Sequence, residues 1–308
     1  MGLMDWIKAA DYGVALPAIS KLPRALAYGL ADLRGRLLAC ALRDSFAWAS
    51  RNVESTFPHL GAAERRRIVI GHYQAESRNE MEAFWYPKPL DHLRSFVRCT
   101  GLDLLREAAA SGDGVLLFSG HMGSTGLFFV FTGKSGVPMN IVGRSIEPED
   151  NPLHRSVLRY NRKRVRWIET AIGHPFLMTG RGNYSRLVEK LRSGEVVMML
   201  ADVAPTLVNP KHTTEVRFFG RRAWFPNGIA SLFFTTGSRL LHWRIHRNRE
   251  TGHQEIEIAE VTDSFRPASG RAEFMQKLVG LLEQDIRRYP DHWLSWDSLE
   301  HYFRQPEG

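Results

Sequence analysis

Gly114-Val-Leu-Leu-Phe-Ser-Gly-His121-Met-Gly-Ser-Thr-Gly126 reads as a strand, a turn and the opening of a helix. Val115 to Phe118 are consecutive apolar residues between two glycines, the pattern of a short strand covered on both faces. Ser119 and Gly120 end that run, and His121 stands directly beyond it. In open α/β sheets, ligands sit past the carboxyl ends of strands. A histidine there can act as a general base, because its ordinary pKa lies near neutral pH. The glycines allow close backbone approach, and a helix start offers amide donors to an anion or a developing oxyanion. His121 is therefore the candidate base, with Gly123 and Ser124 as candidate substrate contacts. A structural histidine at a strand end is the alternative.

Similar runs recur outward from this stretch. Val115–Gly120, 140–144 (NIVGR), 196–202 (VVMMLAD) and 240–246 (LLHWRIH) are β-prone and separated by helical patterns at 153–163, 185–192 and 228–235. Alternation of this kind predicts an α/β sheet covered by helices. A helix is expected over 62–85 and a last one over 271–288, stopping before Pro290. Neither an internal repeat nor a low-complexity linker breaks the chain, which argues for one α/β domain over 51–308 behind a helical segment at 1–50.

The 308 residues are 44% apolar and 24% charged, normal for a globular chain, and the formal charge of +8 favours anionic partners. The two cysteines, Cys40 and Cys99, have no clustered partner, which excludes a disulfide scaffold and a structural zinc site. The longest uncharged stretch, 114–133, is broken by five glycines and His121 and is not a membrane span. Asp5, Lys8, Asp11 and Lys21 interrupt any signal-peptide order at the start, so an intracellular chain without an anchor is expected. In residues 1–50, Trp6, Tyr12, Tyr28 and Trp48 alternate with Lys8, Lys21, Arg24, Arg34 and Arg36, the composition of a segment lying on a membrane surface. A buried first helix with a solvated basic face would look the same. The basic residues are dispersed and no recognition motif appears, so nucleic acid is not an expected partner.

GVLLFSGHMG, then IVGRSIEPEDNP, then LVEKLRSGEVVMMLAD, then VRFFGRRAWFPNGIASLFFTTGSRLL and the closing RRYPDHWLSW follow in order over residues 16–296. Together they resemble the lipid A late acyltransferase family, the bacterial lauroyl and myristoyl transferases. The resemblance implies a glycerolipid-acyltransferase-like α/β fold, peripheral on the cytoplasmic face of the inner membrane. It also implies acyl transfer from an acyl carrier protein or CoA thioester to a lipid hydroxyl, with the thioester as co-substrate and no resident cofactor or metal.

In that family a His-x4-Asp/Glu motif supplies the base and its orienting carboxylate. The matching histidine is His121, but the acid position falls on Gly126, and no acid occurs from Gly114 through Ile146. Asp202, ending VVMMLAD, would emerge at the same sheet edge if the two strands run parallel, and is the first replacement. Glu147, Glu149 and Asp150 come second. Arg144 matches a family arginine that would bind phosphate or the thioester oxyanion; an ion pair with Glu147 or Asp150 would explain it equally. Arg181 and Asn151 fall on further matched segments and are candidate substrate contacts. The run Arg155, Arg159, Arg162, Lys163, Arg164 and Arg166 reads as a solvated face or a surface for an acidic carrier. The aromatic stretch 218–234 reads mainly as core, with a subset lining an acyl channel. Trp293 and Trp296 fit the family ending, but Asp297, Glu300 and His301 replace its basic cluster. The expected activity is acyl transfer to a hydroxyl or amine of a lipid or specialised metabolite. The alternatives are a silent relative that binds lipid or proteins, and a thioesterase using Ser119 or Ser124 with His121, although Gly-x-Ser-x-Gly is absent.

Overall fold

The computed structural model describes residues 3–143, 155–178 and 183–305. From the N-terminus, α1 (Leu3–Ala10), α2 (Leu16–Ile19), α3 (Arg24–Ala41) and α4 (Arg43–Thr56) lead into the long α5 (Ala62–Glu82). Pro17 sits in the first turn of α2 and Pro23 just before α3, where a missing N–H costs nothing. The chain continues through α6 (Leu90–Arg94), β1 (Val97–Thr100), α7 (Leu102–Ala110), β2 (Val115–Ser119), α8 (Thr125–Lys134) and β3 (Asn140–Gly143). It then forms α9 (Arg155–Ile172), β4 (Leu177–Met178), α10 (Asn183–Arg192) and β5 (Val196–Leu200). A hairpin of β6 (Thr213–Phe218) and β7 (Arg221–Pro226) precedes α11 (Gly228–Thr236), β8 (Arg239–Arg247), β9 (Gln254–Glu260), α12 (Thr262–Phe265) and α13 (Arg271–Arg288).

Among the described residues seven strands form one sheet in the order β1-β9-β8-β2-β5-β3-β4, parallel throughout except between β8 and β9. β2 lies inside it, between β8 and β5. Its side chains divide between two cores: Leu116 and Phe118 join the helices on one face, Val115 and Leu117 those on the other. All four are essentially inaccessible, which explains why this strand reads as an unbroken apolar run rather than an alternating one. The molecule is a single α/β domain.

The first helices belong to that domain. Tyr28 and Ala31 of α3 enter the core on one face of the sheet, while Ala49 and Val53 of α4 enter the core on the other. The boundary expected at residue 50 therefore falls inside α4, a helix whose Asn52 side chain donates to the Trp296 carbonyl at 2.7 Å. On the outer face of α3, Leu26, Leu30, Leu33 and Leu37 are 39% to 62% exposed, an apolar stripe with spacings of four, three and four. Among the described residues no helix is long and apolar enough to cross a membrane.

Candidate active site

β2 and β5 are parallel neighbours paired from Val115–Val196 to Ser119–Leu200, so their ends are level. His121 and Asp202 each stand two residues past those ends, and Ala201 N–H donates to the Ser119 carbonyl at 2.8 Å to keep the loops together. Asp202 Oδ1 lies 2.7 Å from His121 Nδ1, and the two carboxylate oxygens also accept the His121 main-chain N–H at 2.9 and 2.8 Å. Trp293 Nε1 donates to Oδ2 at 2.8 Å, and the Tyr302 hydroxyl donates to the Asp202 carbonyl. Gly120 makes this approach possible: a Cβ there would stand 3.1 Å from Asp202 Oδ2 and 2.4 Å from Leu282 Cδ1.

The charges follow from this geometry. Burial disfavours the Asp202 carboxylate, but the imidazole and the Trp293 donor outweigh it and hold the acid below its ordinary pKa. Burial likewise pulls His121 down, and Asp202 overcomes it, leaving the imidazole above its ordinary value. An ionised carboxylate only accepts, so Nδ1 carries the proton and Nε2 presents its lone pair. The His121 side chain remains 41% exposed, and Nε2 meets no hydrogen-bond partner among the described residues.

The loop is fixed from the C-terminal side as well. Met122 bridges Trp293, Leu294 N–H donates to the His121 carbonyl at 2.8 Å, and Gly123 N–H donates to the His292 carbonyl at 2.7 Å. The expectation for Gly123 as an amide contact is therefore corrected: its donor is already engaged. Ser124 is corrected too, because it is buried and its Oγ accepts from Gln254 Nε2 at 3.1 Å, beside the buried Glu82. Ser119 Oγ is buried without a partner, and neither serine is hydrogen-bonded to His121, so no Ser/His nucleophile pair is present among the described residues.

Gly126 lies in the first turn of α8. A Cβ at this position would come within 2.3 Å of the Tyr86 hydroxyl and 3.1 Å of Arg164 Nη2. The place where the resemblance implies an acid is thus filled by a tyrosine and an arginine from α9. Arg164 donates to Asn79 Oδ1 at 3.0 Å, and its charge lowers the proton affinity of His121. It was read as one member of a basic run, but Tyr160, Arg164, Ile168 and Ile172 recur at four-residue spacing, and that face of α9 turns inward. The spacing was the available signal.

Glu76 escaped the sequence reading altogether. On α5 it sits one turn after His72, whose Nδ1 is 3.0 Å from the Trp293 carbonyl, and one turn before Asn79, the partner of Arg164. Crowding by protein first, then the Glu80 and Asp297 carboxylates, push its pKa up to about 7 against the pull of Arg34 and Arg164. Glu76 is nevertheless exposed. Its side chain thus meets solvent on one side while neighbouring protein and carboxylates disfavour its charge.

Arg144, Asn151 and Arg181, together with Glu147, Glu149 and Asp150, lie outside the described residues. The aromatic stretch is mainly core: Phe218, Phe225 and Phe233 are buried, and Phe218 packs on Trp293 with ring centroids 6.0 Å apart.

A family model described as bacterial lipid A biosynthesis acyltransferase matches residues 3–297. The chain is also 24% identical over 314 residues to a protein named lipid A biosynthesis lauroyltransferase from Escherichia coli (strain K12), covering 98% of this chain and 93% of that one. With a match that spans both cores and the His121–Asp202 loops, the chain is an acyltransferase belonging to the bacterial lipid A biosynthesis acyltransferase family.

Proposed function

We propose that this acyltransferase moves a fatty acyl group from a carrier thioester, on acyl carrier protein or CoA, to a hydroxyl or amine of a lipid or specialised metabolite. The family's own lipid A precursor is the first acceptor to test. The reaction takes place on the cytoplasmic surface of the inner membrane, with the protein attached peripherally through its first helices. The observation that carries this reading is the state of His121: one ring nitrogen is held by Asp202 while the other meets no hydrogen-bond partner among the described residues, on a side chain that is 41% exposed.

In this scheme Nε2 takes the proton from the acceptor as its oxygen or nitrogen attacks the thioester carbonyl. The new C–O or C–N bond forms, the tetrahedral intermediate expels the thiolate, and the imidazolium returns its proton to sulfur. Asp202 keeps the ring in the productive tautomer and stabilises the imidazolium. Arg164 provides a fixed cation beside the reacting groups, and Arg144 remains the candidate for the oxyanion. Gly126 fits this scheme as the family's acid transferred from α8 to the end of β5.

Mass spectrometry of lipids and small metabolites from cells with and without the protein tests donor and acceptor together. A new acylated species is expected, and it should disappear with His121→Ala. Purified His121→Ala should lose at least about 10²-fold in acyl transfer with its melting temperature nearly unchanged. Undiminished transfer by that variant would refute the assignment of the base.

A further inference from the structure

Away from His121, α2, the turn before α3, and the segment from Phe84 to Phe96 enclose a cavity of about 720 Å³. Phe84, Trp85 and Phe96 are the aromatic side chains that line it. Trp85 is fixed by its Nε1 donation to the Ser20 carbonyl at 2.8 Å and packs on Phe96 with centroids 5.1 Å apart. Among the described residues the walls carry four basic side chains, Lys21, Arg24, Lys88 and His92, and no acid. Arg24 is pinned by donation to the Ser95 carbonyl at 2.9 Å, its guanidinium 5.8 Å from the Phe96 ring centre. The nearest carboxylate in sequence, Asp91, is paired with Arg94 instead.

The permanent cations of the pocket favour the neutral form of His92. Partial burial, then Lys88 and Arg24, push the His92 pKa below its ordinary value. Among the described residues none of Lys21, Arg24 and Lys88 forms an ion pair. Like charges brought together around an aromatic lining cost free energy unless an anion joins them. Leu22 is both a lining residue and exposed, and from it the apolar stripe of α3 continues through Leu26 and Leu30. The basic pocket therefore opens at the foot of a greasy ridge.

We propose that this pocket binds the phosphate of an anionic phospholipid belonging to the bilayer on which α3 rests. The occupant combines the two chemistries found side by side: a negative headgroup among the cations, and acyl chains along the leucine ridge. A zwitterionic headgroup fits less well, since among the described residues the lining offers no acid for its ammonium. The proposal rests on the membrane-surface reading above, and adds a headgroup site separate from the His121 site.

The test is co-sedimentation of the full chain with vesicles of phosphatidylcholine alone and of phosphatidylcholine containing one third phosphatidylglycerol. Lys21→Gln/Lys88→Gln removes two exposed charges from the pocket, and Lys211→Gln/Arg271→Gln removes two exposed charges elsewhere. Each basic residue at an anionic surface contributes about fivefold in affinity, so the pocket variant should bind phosphatidylglycerol vesicles at least about tenfold more weakly. The control variant should stay within about threefold of wild type, since charges remote from the surface are screened. Equal losses in both variants, or a loss in neither, overturn the pocket while leaving membrane attachment standing. Failure of the wild type to sediment with either vesicle overturns the membrane reading itself. Binding of inorganic phosphate that is lost in the pocket variant, while that variant still binds phosphatidylglycerol vesicles as tightly as wild type, would assign the pocket to a free anion and overturn the lipid occupant.

Discussion

The carboxylate of Asp202 holds His121 by two handles at once, the main-chain N–H at 2.8 and 2.9 Å and the ring Nδ1 at 2.7 Å. One side chain thus sets both the path of the loop and the orientation of the imidazole. A carboxylate reaching the ring from within its own helix could set only the second.

Asp202→Asn should therefore lower kcat by about 10²–10⁴, since the amide cannot accept on both atoms and favours the wrong tautomer. The base must be neutral to work, so the acid limb of kcat/KM lies above the ordinary histidine pKa in the wild type. Loss of the neighbouring negative charge should move that limb to lower pH. The double variant with His121→Ala should be no slower than His121→Ala alone. Additive losses would show that the two residues do not act as a unit.

Arg164→Gln should shift the same limb in the opposite direction. The guanidinium lowers the proton affinity of His121, so its removal raises the imidazole pKa and activity begins to fail at a higher pH. A pH profile of kcat/KM for the two variants side by side gives the answer. Coincident limbs would show that neither charge is felt at the ring.

Gly126→Ala should destabilise the protein by about 1–3 kcal/mol, because the added methyl overlaps the Tyr86 hydroxyl in a fully packed site. Gly126→Glu, which restores the family's acid, should fail to improve activity for the same reason. Tyr86→Phe in the Gly126→Ala background should recover part of the stability. Chemical denaturation of the three variants decides, and a neutral Gly126→Ala would contradict the packing argument.

Glu76→Gln should stabilise the protein at pH 8 by up to about 1 kcal/mol, a figure reduced from the full effect because solvent reaches the group. The sign follows from a folded pKa of about 7 above the ordinary 4.5: ionisation is penalised in the folded state at high pH. The gain should shrink as pH falls through 7 and vanish near 4.5. Melting temperatures across that range test it; a gain that persists at pH 4 would point to a different cause.

Leu26→Glu/Leu37→Glu should weaken recovery in the membrane fraction without lowering the melting temperature, since both side chains lie on the exposed stripe of α3. High salt or carbonate should release the wild-type protein. Retention after both treatments would mean that attachment is not peripheral.

The strands that position the site were legible because β2 and β5 are buried on both faces and appear as apolar runs. Their shared sheet edge followed from parallel pairing, which brought Asp202 into consideration. β1 and β9 were not read: Val97–Thr100 is short and half exposed, and Gln254–Glu260 alternates its side chains beside the sheet's edge strand. The β6–β7 hairpin was concealed in an aromatic stretch whose composition suited a channel as well as a core. Gly123 and Ser124 were misread because their partners, His292 and Gln254, lie more than a hundred residues away, and no local pattern records that their polar groups are engaged. Arg164 was missed because it lies among the exposed charges Arg162, Lys163 and Arg166, and Glu76 because its raised pKa comes from crowding by protein, from Glu80 and from Asp297, the last more than two hundred residues away, which no local pattern records.

The C-terminal contacts of Asp202 also constrain the order of events during synthesis. Trp293 and Tyr302 reach Asp202 from 91 and 100 residues further along the chain, and the backbone of 292–294 is stitched to the loop that carries His121. A ribosome extending this polypeptide releases the β2 and β5 loops long before it releases those residues. The nascent enzyme therefore stays without a completed base until residues 293–302 have been made, and a stop codon before them yields an unfinished site rather than a shorter active protein.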